Sequence, residues 1–181
     1  MKNTQVYMLR NLVDRNIIKG IIRFSKDCHN NTDLHNDLSY DKFRLYNLII
    51  SIEPELLNIN IILSSILYPC VKNARIPIKV IFDKFGDDVG LIISAILISP
   101  EDGYDKIRYF NSLNSQIQNI YLSIIIDYVE RSGYISFCDM DHLKKLVNSL
   151  SNASSKLLFD AKRELYFNAT THNCTYYEGR L

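Results

Sequence analysis

Two histidine–cysteine pairs stand out first, because imidazole and thiolate are ligands that zinc prefers. Cys138 and His142 stand one helical turn apart, and His172 and Cys174 form a second pair. No CxxC anchors the first pair, and the second falls in the polar tail NATTHNCTYYEGRL, so the pattern stops short of a zinc signature. Cys70, in ILYPCVK, is a nucleophile only with a base beside it, and spacing brings none of the four histidines there. Without one it is a buried, inert thiol. Asp127 is a carboxylate in the nearly apolar run IYLSIIIDYVE, where burial would demand a hydroxyl, an N–H or a cation as partner. Tyr40, Tyr46, Tyr68, Tyr104, Tyr109, Tyr121 and Tyr128 offer rings for stacking a nucleobase, although tyrosines at helical spacing usually edge a core. There is no phosphate-cradling glycine loop, no GxSxG and no HExxH.

The elements that must position these residues read as helices throughout. Apolar residues from Val6 to Ile22 fall at helical spacing over Gln5–Cys28, with Gly20 marking either close packing or a boundary. A polar loop over His29–Asp37 follows, and Ser39 or Asp41 caps a helix that Glu53-Pro54 ends. Asn58 or Asn60 opens the apolar helix Ile61–Leu67, which Tyr68-Pro69 ends or kinks. Pro77 suits the first turn of a helix carrying Ile78, Ile81, Phe82 and Phe85 and stopping at Gly86. Asp87 and Asp88 begin the next helix, at the positive end of its dipole, and Ser99-Pro100 closes it. Helical pattern then runs from Tyr104 to about Arg131, broken near NSLNSQ. Asp139 or Asp141 caps a helix through Val147, and a last helix spans about Lys156 to Phe167.

Strand signals are weak, with no Asn-Gly or Asp-Gly hairpin and no sustained alternation. The expectation is an all-α domain of about seven to nine helices over residues 1–167, followed by a flexible tail over 168–181. The 181 residues, 47% hydrophobic and 23% charged, suit one substantial core. A net charge of +1 argues against a nucleic-acid or anionic-membrane partner, and the basic residues form no run. No apolar stretch reaches membrane-spanning length and the N-terminus has no secretory core, so a cytoplasmic protein with reduced thiols is expected. On that basis the Asn-x-Ser/Thr triplets at Asn30, Asn152, Asn168 and Asn173 are chance matches in an Asn-rich chain.

The helix order, with the phrase IPIKVIFDKFGDDVGLIISAIL, resembles the HD-domain hydrolases of the RelA/SpoT type, closest to the stand-alone small alarmone (ppGpp) hydrolases. The resemblance covers roughly Val6 to Phe167 and implies an HD-like helical bundle. In that family the apolar helix ends in His-Asp, a Glu-Asp pair follows, and a short helix closes in Phe-Gly. The family's chemistry uses a divalent metal, usually manganese, which polarises a phosphoryl oxygen and supplies a hydroxide near neutral pH. Carried over by position, the first histidine falls at or near Phe43, and the His-Asp pair falls on Tyr68 and Pro69. The Glu-Asp pair falls on Lys72 and Asn73, and only the last aspartate survives, as Asp127. Phe and Pro side chains offer no ligand atom, and one carboxylate does not hold manganese.

The resemblance therefore implies a degenerate, catalytically inactive protein with a vestigial site at Phe43, Tyr68, Pro69, Lys72, Asn73 and Asp127. It would hold no metal, and Lys72 is placed by the resemblance to neutralise Asp127 instead. Such a protein acts by binding a guanosine nucleotide or a protein partner. Two alternatives stand beside it: an active metal-dependent (p)ppGpp or nucleotide pyrophosphohydrolase with other ligands, and a helical protein–protein interaction module.

Overall fold

The computed structural model describes residues 15–30, 44–100, 103–132 and 135–177, with side chains at 17–29, 44–100, 103–132 and 135–168. The expected caps at Ser39 and Asp41, the helix start before residue 15 and Phe43 lie outside these residues. Among the described residues the chain is all-α, with nine α-helices and one short 3-10 turn, as the pattern of caps and stops predicts. It packs as two compact units, Met1–Ile98 and Ser99–Leu181. The division falls at the Ser99-Pro100 helix stop.

The first unit holds α1 (Arg15–Asn30), α2 (Arg44–Ile49), a 3-10 turn at Pro54–Leu56, α3 (Ile59–Lys72), α4 (Ile78–Phe85) and α5 (Asp87–Leu97). Helix α3 is its centre, packing on α1, α2 and α5, while α4 packs on α5. The run Ile61–Leu67 is buried without interruption, which matches a helix that is apolar all round. Of the two expected starts, Asn58 is the one that opens α3, its side-chain oxygen accepting from the Ile61 N–H at 3.0 Å. Pro69, however, neither ends nor visibly breaks α3, which continues to Lys72. Proline removes one helix hydrogen bond, a loss of about 3 kcal/mol in an exposed helix. Here Pro69 is itself buried, and its carbonyl accepts from the N–H groups of Asn73 and Ala74. The real elbow comes later, where Arg75 takes a left-handed φ of 55° and the Ile76 N–H donates to the Cys70 carbonyl at 3.1 Å. Helix α2 likewise ends at Ile49, before Glu53-Pro54, and proline begins the 3-10 turn instead. His29, expected in a loop, belongs to the last turn of α1.

Helices α4 and α5 share a single joint, Gly86, whose φ of 89° favours glycine and whose N–H donates to the Phe82 carbonyl. Asp87 and Asp88 occupy the first turn of α5 as expected, and Asp88 accepts a hydrogen bond from Asn60 at 3.0 Å. Two other glycines invert the sequence expectation. Gly20, read as close packing or a boundary, lies inside α1 with open space where a Cβ would stand. Gly90 is the close contact: a Cβ there would lie 2.6 Å from the Phe82 ring.

The second unit holds α6 (Tyr104–Asn111), α7 (Ser115–Arg131), α8 (Phe137–Ser149) and α9 (Ser155–Tyr177). Helix α9 packs on α7 and α8, and α6 packs on both as well. The predicted break at NSLNSQ separates α6 from α7, and Asn114 caps α7 by accepting from the Ile117 N–H at 3.1 Å. The cap of α8 is Ser136 and neither of the expected aspartates. Ser136 Oγ accepts from the Asp139 N–H at 3.1 Å and donates to the Asp139 carboxylate at 2.6 Å, a reciprocal capping arrangement. The backbone of α9 runs on past Phe167 to Tyr177.

Candidate functional site

The positions matched to the hydrolase motif fall in different surroundings. Tyr68, Pro69 and Lys72 lie on the last turns of α3, with Asn73 as its C-cap. Pro69 is buried, Tyr68 half-buried and Lys72 exposed. Burial pushes the Tyr68 hydroxyl up to about 12, so it stays protonated at neutral pH and is no base. Cys70 is fully buried, and desolvation raises its thiol to about 12, partly offset by its hydrogen bond to Ser25. That environment keeps the thiol protonated and slow to react at neutral pH.

Asp127 belongs to the second unit, on α7, where it is 7% exposed. Its carboxylate is ion-paired with the Arg131 guanidinium one turn further along the same helix, and Arg131 Nε also donates to the Asp127 carbonyl at 3.3 Å. A buried carboxylate needs such a partner. The sequence reading looked for that cation on a neighbouring helix, whereas the i, i+4 spacing within α7 supplies it. Among the described residues no three His, Cys, Asp or Glu side chains gather as a metal site would require. Cys138, half of the first histidine–cysteine pair, is exposed near the start of α8.

A different set of residues does converge. A partly open pocket of about 250 Å³ in the second unit is lined by Lys106 of α6, by Tyr121, Ile124, Ile125 and Tyr128 of α7, and by Asp139, His142, Leu143 and Leu146 of α8. Spacing explains the two long walls. Residues 121, 124, 125 and 128 recur at three and four along α7, and 139, 142, 143 and 146 do the same along α8. Tyr121 is buried and held flat against Phe110, with ring centroids 3.5 Å apart and planes 9° from parallel. Tyr128 is exposed, which leaves its ring open to solvent at the rim. His142 Nε2 is buried and has no protein partner, the kind of orphan polar atom that a bound molecule or water satisfies. Aliphatic walls, two phenol rings, one cation, one carboxylate and an imidazole are the makings of a binding pocket for a compact amphipathic molecule.

His142, Asp139, Lys106, Tyr121 and Tyr128 were each visible in the sequence for some other reason: zinc spacing, capping, charge or aromaticity. Their convergence was not, because it depends on how α6, α7 and α8 pack. Comparison of the chain with models of known protein families, with characterised proteins and with solved structures returns no match.

Proposed function

We propose that this chain acts by binding and not by hydrolysis, as a degenerate protein of the RelA/SpoT HD type working with reduced thiols in the cytoplasm. The observation that supports this reading is the Asp127–Arg131 pair. The only carboxylate left from the resemblance's metal set is committed to a cation on its own helix. A ligand carboxylate must instead keep its lone pairs for the metal and a supporting hydrogen bond. The ligand we assign is a guanosine nucleotide, and the pocket around His142, which none of the positions matched to the hydrolase motif lines, is the candidate for it. The Tyr128 ring at the rim can stack a base, a contact worth roughly 1–3 kcal/mol.

The test has two arms. Incubation of the full chain with ppGpp and Mn²⁺ is expected to give no turnover above the blank, and metal-dependent turnover lost in Asp127→Ala would overturn the reading. Titration with GDP and ppGpp by calorimetry is expected to show binding, weakened on the order of tenfold by Tyr128→Ala. Absence of heat with both nucleotides would remove the nucleotide from the proposal.

A second reading, a helical interaction module, draws on a separate observation. Phe159 and Tyr166 are 66% and 65% exposed on α9 and stand seven residues apart, on one face. If that face meets a protein, Phe159→Ala with Tyr166→Ala weakens the association and leaves nucleotide titrations unchanged.

A further inference from the structure

The first unit contains a buried group of side chains that the proposed binding function does not use. Ser25 and Cys28 are one turn apart on α1, and Cys70 is on α3, the helix against which α1 packs. Cys70 Sγ donates to Ser25 Oγ at 3.4 Å, so the 25/28 face of α1 is turned to Cys70. Cys28, buried and one turn beyond Ser25, lies on that same face. Ser25 is fully buried, Cys28 is 7% exposed and Cys70 is 0% exposed. The last turn of α1 is tied down by His29, whose Nδ1 is 2.7 Å from the Ser25 carbonyl. Two free, buried thiols on facing sides of helices already packed together are candidates for a disulfide that closes with little backbone movement.

We propose that Cys28 and Cys70 form an oxidisable dithiol, a covalent modification site that takes a hydroperoxide as oxidant and locks α1 to α3. Cys28 is the entry point, since Cys70 is completely enclosed. The Cys28 thiolate attacks one peroxide oxygen; an S–O bond forms, the O–O bond breaks, and the alkoxide or hydroxide released takes up the thiol proton. Cys70 sulfur then attacks the Cys28 sulfenic acid. The S–S bond forms, the S–O bond breaks, and hydroxide leaves as water with the Cys70 proton. Two thiols and one hydroperoxide yield one disulfide, one alcohol (water, for hydrogen peroxide) and one water. Burial raises both thiols, so the first step is slow at neutral pH and accelerates as pH rises. A reducing compartment leaves the pair open until peroxide accumulates.

The experiment uses the full chain carrying Cys138→Ser and Cys174→Ser, to silence the other two cysteines. Native protein treated with hydrogen peroxide is examined by intact mass and peptide mapping. The expected result is a loss of two hydrogens, a linked Cys28–Cys70 peptide, reversal by dithiothreitol, and a rise in Tm on the order of 10 °C. Cys70→Ser should abolish the link and leave a Cys28 sulfenic acid that dimedone traps. Irreversible over-oxidation of Cys28 without a linked peptide would overturn the proposal, as would two thiols that both remain alkylatable after unfolding. So would a linked chain that has lost its helical signal, since closure would then require unfolding. If Cys70→Ser does not fold, the peptide map of the chain retaining both thiols decides alone.

Discussion

The two units are each organised around one helix with a long buried run, and they hold that helix by different means. In the first, α3 is enclosed by aliphatic side chains; of its two fully buried serines, Ser65 Oγ stays local, donating to the Ile62 carbonyl at 2.7 Å, and Ser64 Oγ has no protein partner among the described residues. In the second, α7 carries two fully buried amides that reach out of the helix. Gln118 Nε2 donates to the carbonyls of Phe110 and Leu113, each at 3.0 Å, while its Oε1 accepts from the Asn152 N–H at 3.0 Å. Asn119 Oδ1 accepts from the Ser154 N–H at 2.7 Å. One helix thereby holds the turn before it and the α8–α9 connection far along the chain. Apolar packing is tolerant of which hydrophobe fills a space; an amide that satisfies a particular N–H is not. The difference teaches that the pocket unit is specified by polar geometry and the elbow unit by fit.

Among single substitutions at neutral pH, the largest effect should come from breaking the polar unit. Asn119→Leu keeps the size but strands the buried Ser154 N–H, and is expected to cost about 3 kcal/mol in denaturant unfolding. A cost below about 1 kcal/mol would mean that water replaces the amide and that the contrast is weak. In the apolar unit the matching test is fit. Gly90→Ala pushes a methyl group into the Phe82 ring and should cost about 2 kcal/mol.

Alkali should distinguish the regions next. Cys70 is raised from its ordinary 9.0, and Tyr68 from 10.0, each to about 12. Both are neutral when protonated, so the stability they lend is complete below the unfolded values and is lost as pH rises through the folded ones. Between about pH 9 and 12 each group should remove about 1.4 kcal/mol per pH unit above its unfolded pKa, an upper limit for the half-buried Tyr68. Cys70→Ser should flatten the part of the curve that begins near pH 9, and an unchanged curve would deny that the thiol is desolvated. The smallest effect is a gain. Gly20→Ala, with open space at its Cβ, should add about 0.5–1 kcal/mol, and a loss there would reveal a hidden contact.

What the sequence disclosed follows a rule of distance. Asn58, Gly86, Asp87 and Asp88 act on backbone within a turn of themselves, and each was legible, whereas at NSLNSQ the break was legible and the Asn114 cap was not. Ser136 was equally local and still missed, because Asp139 three residues on is the other half of the same cap and drew the assignment to itself. Pro69 misled for a physical reason: a stop signal is only a free-energy cost, and burial of Ile61–Leu67 carries the helix past it. Gln118 and Asn119 were invisible as anchors because their partners lie 34 and 35 residues away. At the candidate site, Asp127 was seen but its Arg131 partner was not, although the spacing announces it. The pocket residues were seen singly and could not be assembled without the packing of three helices.

Gly86 has one more consequence. It ends α4 and begins α5, leaving no intervening loop. A helix turns by about 100° per residue. Adding or deleting one residue beside Gly86 would therefore swing the face of α5 by more than a quarter of a circle. Gly90 would no longer point at Phe82, and Val89, Ile92, Ile93 and Ile96 would leave the interior together. Length is part of the code at this joint: the count of residues from Phe82 to Gly90 must be kept even where their identities can change.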